Sequence, residues 1–127
     1  MKYSVDKKER YTVFQIQEPN VNSLIAPNLK SEFVILANEG VKNLILDLSE
    51  VQYVDSSGLS AILTADRLWK SVGSFILTGI QHASVKKLIE ISRLNSVLTI
   101  VPTVEESIEY VFMEEIENEL NVDGDED

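Results

Sequence analysis

The chain has no cysteine and only one histidine among its 127 residues, with three prolines and five glycines. Without thiols there is no disulfide scaffold, no thiolate metal site and no cysteine nucleophile, and such a composition suits a reducing compartment. The single histidine, His82, cannot form a histidine-pair metal site or a Ser-His-Asp triad without a partner chain. Long apolar runs are missing too. No segment approaches the roughly 20 apolar residues of a bilayer-crossing helix, and the start, MKYSVDKKERYTVF, has no apolar stretch long enough for a signal peptide. The chain therefore reads as soluble and cytoplasmic, with no direct membrane insertion. A basic excess is absent: 11 Lys and Arg face 21 Asp and Glu, a net charge of −10. Nothing forms the basic stripe that phosphate backbones require, so nucleic acid is excluded as a partner. No glycine-rich phosphate loop is present, so the chain is not itself read as a kinase.

The charge that is present is uneven. Eight of the acids and none of the bases lie between Glu114 and Asp127, which leaves 13 acids against 11 bases in the body. The chain divides accordingly into one domain over residues 1–113 and an acidic tail over 114–127, partly helical or disordered. The tail aids solubility, and a contact with a basic partner is its sharper reading. Its DGDED run has too few ligands at the right spacing for a calcium loop.

Hydrophobic periodicity orders the body. Tyr3–Val5 and Tyr11–Gln17 read as an antiparallel pair, with Thr12, Phe14 and Ile16 on one face. The segment EPNVNS reads as a loop. Pro27 suits the first turn of a helix whose apolar face is Leu29, Phe33, Leu36 and Ala37, closed by Gly40. Leu44–Leu48 is a continuous apolar run, the pattern of a strand covered on both faces. A second helix carries Ala61, Ile62, Ala65, Leu68, Trp69 and Val72. Phe75–Leu77 is another buried strand. Val85, Leu88 and Ile89 mark a third helix, and Val97–Val101 a last strand. Thr103 with Glu106 forms a capping box, opening a fourth helix with Val104, Ile108, Val111 and Phe112 on its face. Strand–helix alternation with short links predicts an α/β fold: a mixed, mostly parallel sheet of four or five strands with an antiparallel edge and about four helices.

In such sheets the loops leaving the carboxyl ends of the strands gather on one rim, where function commonly sits. Ser49–Gly58 falls there, and within it Asp55, Ser56, Ser57 and Gly58 open the second helix. Asp, Ser and Gly are what a helix N-terminus favours, because side-chain oxygens accept its unpaired N–H groups. A hydroxyl at that place also sits beside the positive end of the helix dipole. A phosphate added there is tolerated, yet it brings a charge of about −1.5 to −2 to the surface, enough to expel a docked partner. On a helical wheel Leu59 and Leu63 fall well over 100° from the core stripe centred on Ala61, Ala65 and Val72, and so make a candidate docking patch beside the serines. Asp47 and Glu50 read as separate solvated carboxylates on the same rim.

The segment LILDLSEVQYVDSSGLSAIL resembles the signature region of STAS domains, especially the bacterial anti-sigma factor antagonists (anti-anti-sigma factors). Asp47-Leu48 ends the buried strand, Tyr53-Val54 fills the connector, and Asp55-Ser56-Ser57-Gly58-Leu59 opens the helix. The later pieces VKKLIEISRL, VLTIVPT and EESIEYVF fit as well, so the resemblance covers about Lys2–Phe112. It implies a non-enzymatic regulator without cofactor. Such a protein binds an anti-sigma factor that is also a serine kinase, is switched off by phosphorylation of the second serine, here Ser57, and is restored by a phosphatase of the PP2C type. Where many relatives carry G-x-L/I-D in an early loop, this chain has Val21-Asn22 and no preceding glycine. Asn22 keeps an acceptor and loses the charge. Asn22, Asp55, Ser56, Ser57, Gly58, Leu59 and Leu63 are thus the expected partner-binding set. The alternatives are a constitutive STAS scaffold in a signalling or membrane-transport complex, and a small-ligand or nucleotide sensor using the same rim.

Overall fold

The computed structural model describes residues 1–125 of the chain; residues 126 and 127, the end of the expected acidic tail, lie outside it. Seven strands and four helices follow one another as β1 (Tyr3–Lys7), β2 (Thr12–Ile16), β3 (Asn20–Val21), α1 (Ala26–Asn38), β4 (Asn43–Asp47), β5 (Tyr53–Val54), α2 (Ser56–Trp69), β6 (Ser74–Thr78), α3 (Ala83–Ile91), β7 (Thr99–Val101) and α4 (Val104–Asp125). A short 3₁₀ turn, Leu94–Ser96, precedes β7.

The main sheet has the order β1-β2-β4-β6-β7. β1 runs antiparallel to β2, with Val5 opposite Phe14, and the remaining pairs are parallel. This is the mixed, mostly parallel sheet with an antiparallel edge that the periodicity predicts. β4 sits at its centre, and all five of its residues are buried. Alternation then divides the side chains between two faces. Phe14, Ile16, Leu44, Leu46, Phe75 and Leu77 face the larger core, with Leu29, Phe33 and Leu36 of α1 and Ala61, Ile62, Ala65 and Trp69 of α2. Phe14, Phe33 and Trp69 form an aromatic chain through it, with ring centroids 5.5 Å and 6.2 Å apart. Burial of each large apolar side chain stabilises the fold by roughly 1.5–3 kcal/mol. The Trp69 indole N–H donates to the Val41 carbonyl at 2.8 Å, which ties the end of α2 to the segment entering β4. On the opposite face a smaller cluster, Ile45, Ile76 and Val111, lies beneath α4.

Helix ends follow their sequence signals. Pro27 lies in the first turn of α1. Gly40 takes φ +89°, and the Val41 N–H returns to the Leu36 carbonyl, closing the helix with a left-handed cap. Thr103 Oγ1 accepts from the Glu106 N–H at 3.1 Å and donates to the Glu106 carboxylate at 3.0 Å, which starts α4. Two expectations fail. Val72 is 57% exposed rather than on the core stripe, because α2 ends at Trp69 and the chain turns away before it. The loop EPNVNS and the connector at Tyr53-Val54 contain strand: β3 pairs in parallel with β5, Asn20 beside Tyr53 and Val21 beside Val54.

Candidate functional site

The small β3–β5 ladder assembles the rim at the carboxyl ends of the strands. It stitches together the connector after β2 and the connector after β4. The Pro19 carbonyl accepts from the Gln52 and Tyr53 N–H groups at 2.8 Å and 3.0 Å, and the Val21 carbonyl accepts from the Asp55 N–H at 3.2 Å. The Ser84 hydroxyl donates to the Gln52 carbonyl, joining the start of α3 to the same rim. His82 is the N-cap residue of α3 and makes no side-chain cap bond.

Asp55 caps α2. Its backbone is extended (φ −97°, ψ −174°), and its Oδ1 accepts from the Gly58 N–H at 2.9 Å. Gly58 has a second role that the cap alone does not require. A Cβ at this position would overlap the Val21 carbonyl oxygen and come within 2.9 Å of the Val21 Cγ1, so only glycine lets the first turn of α2 lie against β3. Ser56 is exposed and Ser57 half-buried. Both line a cavity of about 510 Å³ between the starts of α1 and α2, together with Ser23, Ala26, Pro27, Lys30 and Ser60.

Asn22 directly precedes Ser23 of this cavity, between β3 and α1. Its Oδ1 accepts from the Leu24 N–H at 3.0 Å, and its carbonyl accepts from the Ile25 and Ala26 N–H groups. The side chain therefore shapes the turn that starts α1. Leu24, next to it, is 83% exposed. Leu59 and Leu63 are half-buried and pack against the larger core, so each offers only part of its surface to a partner. The structure thus brings Asn22, Asp55, Ser56, Ser57 and Gly58 together from two separate segments. It adds Ser23, Lys30 and Ser60, which line the same cavity and which sequence patterning passed over. The pairing of β3 with β5, together with the packing of α1 on α2 in the larger core, places the start of α1 beside the start of α2.

The carboxylates on the rim differ from expectation in one case. Asp47 is 8% exposed, and its carboxylate accepts from the Ser49 N–H at 2.9 Å and the Gln15 amide at 3.3 Å. It holds the exit of β4 rather than facing solvent, whereas Glu50 is exposed. Among the described residues, no three or more His, Cys, Asp or Glu side chains are grouped to hold a metal ion. Nor is any helix among them long and apolar enough to cross a membrane.

A five-stranded mixed sheet with helices on both faces, and an Asp-Ser-Ser-Gly turn at the start of α2, are the features of a STAS-type domain. The STAS domain family matches residues 2–107, and the chain belongs to that family. It is 29% identical over 101 residues to BtrV of Bordetella bronchiseptica, which carries the name anti-sigma factor antagonist; the match covers 79% of this chain and 85% of that protein. It is 30% identical over 74 residues to a Thermotoga neapolitana protein named as a homologue of the anti-sigma factor antagonist TM1081, covering 58% of this chain and 66% of that one, just under two thirds. The fold is shared with unphosphorylated SpoIIAA, an anti-sigma factor antagonist, at a TM-score of 0.73 and 20% identity over 87% of this chain and 96% of that chain. SpoIIAA, described as a Bacillus cell fate determinant, also has a solved phosphorylated form, with a TM-score of 0.67.

Proposed function

We propose that this protein is a cytoplasmic, non-enzymatic antagonist of an anti-sigma factor, controlled by phosphorylation of Ser57. The anti-sigma factor is also the kinase. It docks on the rim formed by Asn22, Asp55, Ser56, Ser57 and Gly58, with the exposed parts of Leu59 and Leu63 at its margin. A PP2C-type phosphatase returns the protein to its binding state.

The observation that carries this reading is the first turn of α2. Asp55 Oδ1 already occupies the Gly58 N–H, so the cap does not use the Ser57 hydroxyl, which lines an open cavity. The first N–H groups of a helix have no partner one turn back and favour an anion. A phosphate on Ser57 therefore sits at a tolerant place in the fold while placing about two negative charges at the centre of the docking rim. The fold stays and the partner leaves.

Binding of the cognate anti-sigma kinase, measured by calorimetry, tests this. Ser57→Ala is expected to bind as the wild type does and to take up no phosphate by intact mass, whereas Ser57→Asp is expected to bind at least about tenfold more weakly. Binding of the kinase that is indifferent to both substitutions, or a phosphate mapped elsewhere, overturns the switch.

A further inference from the structure

No element of the described chain covers the outer face of α4 beyond Val111. Met113, Ile116 and Leu120 are 57%, 50% and 62% exposed, and Phe112 at their margin is 39% exposed. Scattered exposed apolar residues are ordinary on a protein surface. These are not scattered, because spacings of three and four residues put Met113, Ile116 and Leu120 on one stripe. The other side of the helix carries Ser107 and Val111, both fully buried, with Val111 packed on Ile45 and Ile76. The stripe therefore points away from the protein's own core.

The helix is also held in place where the stripe begins. The Glu115 carboxylate accepts from Arg10 at 3.2 Å and from the Asn43 amide at 3.4 Å, at the rim where β4 starts. From there α4 continues to Asp125, about 15 Å further at 1.5 Å per residue. The three-four spacing is that of a coiled-coil seam, and Glu117 and Glu119 occupy the positions that flank it. Glu105 and Glu109, both exposed, continue the same face towards the helix start. Among the described residues, the Arg10–Glu115 pair is the one salt bridge that α4 makes. The acidity is felt locally: burial raises the Tyr110 phenol above its usual range, and the charges of Glu114 and Glu117 add to this against an opposing hydrogen bond from Thr99.

We propose that the stripe is a docking seam for a basic amphipathic helix of a partner protein. The partner's apolar side covers Met113, Ile116 and Leu120, and its Lys or Arg side chains meet Glu109, Glu117 and Glu119. Charge selects this occupant. A second copy of the chain would bring Glu117 and Glu119 against the same residues of its twin, and like charges beside a coiled-coil seam oppose pairing. An anionic membrane surface would repel the helix for the same reason. The seam is short, so ionic attraction has to supplement apolar burial, and binding weakens as salt rises. The seam lies on the sheet face opposite α1 and α2 and stands independently of the Ser57 reading.

The test uses the full chain and a fluorescein-labelled Leu–Lys amphipathic peptide of about 18 residues, long enough to form a helix on binding. Fluorescence anisotropy is expected to show saturable, salt-sensitive binding of this peptide and none of its Leu–Glu counterpart. The double variant Ile116→Asn with Leu120→Asn keeps every acid and is expected to bind at least about tenfold more weakly. Glu117→Lys with Glu119→Lys is expected to lose the Leu–Lys peptide and gain the Leu–Glu one. Undiminished binding by the Asn variant would reduce the contact to bulk charge and overturn the seam, as would a charge-reversed variant that does not exchange peptides. Sedimentation velocity completes the test. A wild type that dimerises while the Asn variant stays monomeric assigns the stripe to a second copy and overturns the proposal.

Discussion

The start of α2 and the far end of α4 lie at opposite rims of one sheet, and their surroundings differ in kind. At the start of α2, Asp55 caps the helix, the Val21 carbonyl is satisfied by the Asp55 N–H, and Gly58 brings two backbones together where no side chain fits. At the end of α4, one ion pair and one amide contact hold Glu115, and beyond it the apolar residues face outward. On the two proposed readings, the contrast is between two ways of making a binding surface. A modifiable hydroxyl needs a frame that does not move when charge is added, so its neighbourhood is over-determined. A seam for another helix needs uncovered apolar area and, where it is as short as this one, flanking charge to supplement it.

Three variants probe that contrast through stability. Gly58→Ala should have the largest effect, because the new methyl collides with β3 backbone, which cannot give way as a flexible side chain would. A loss of about 1–3 kcal/mol is expected from urea unfolding. Asp55→Ala removes the partner of the Gly58 N–H and should cost about 1 kcal/mol by the same measurement. The paired Ile116→Asn and Leu120→Asn changes should leave stability within about 0.5 kcal/mol of the wild type, since both residues already face solvent. If the α4 pair costs as much as Gly58→Ala, the stripe is part of the fold and the contrast collapses.

How far the sequence spoke for itself varies by element. The main sheet and four helices were legible because β4 and β6 are short apolar runs and the helices repeat at their own period. Gly40 and the Thr103–Glu106 pair announced helix ends that the structure contains. The ladder of β3 with β5 was not legible, because two residues cannot show a period. That omission hid the neighbourhood of the site, since Ser23 and Lys30, from the segment after β3, line the same cavity as Ser57. Asn22 illustrates the cost. Resemblance assigned it the place of a family acid, while the structure gives its side chain the task of turning the chain into α1. Asp47 reads as a surface acid in the sequence because the Gln15 amide meets it only across strands, while its bond from the Ser49 N–H is local. The break of α2 before Val72 depends on where Trp69 finds the Val41 carbonyl, a contact between segments 28 positions apart.

The β3–β5 ladder also sets what kind of object Ser57 belongs to. A peptide cut from the stretch around the serines would carry both hydroxyls and the cap, but not Ser23 or Lys30, which come from the segment that follows β3. An enzyme that reads the whole rim therefore reads a conformation rather than a linear motif. On the proposed switch, such an enzyme would mark folded molecules and leave unfolded chains unmarked.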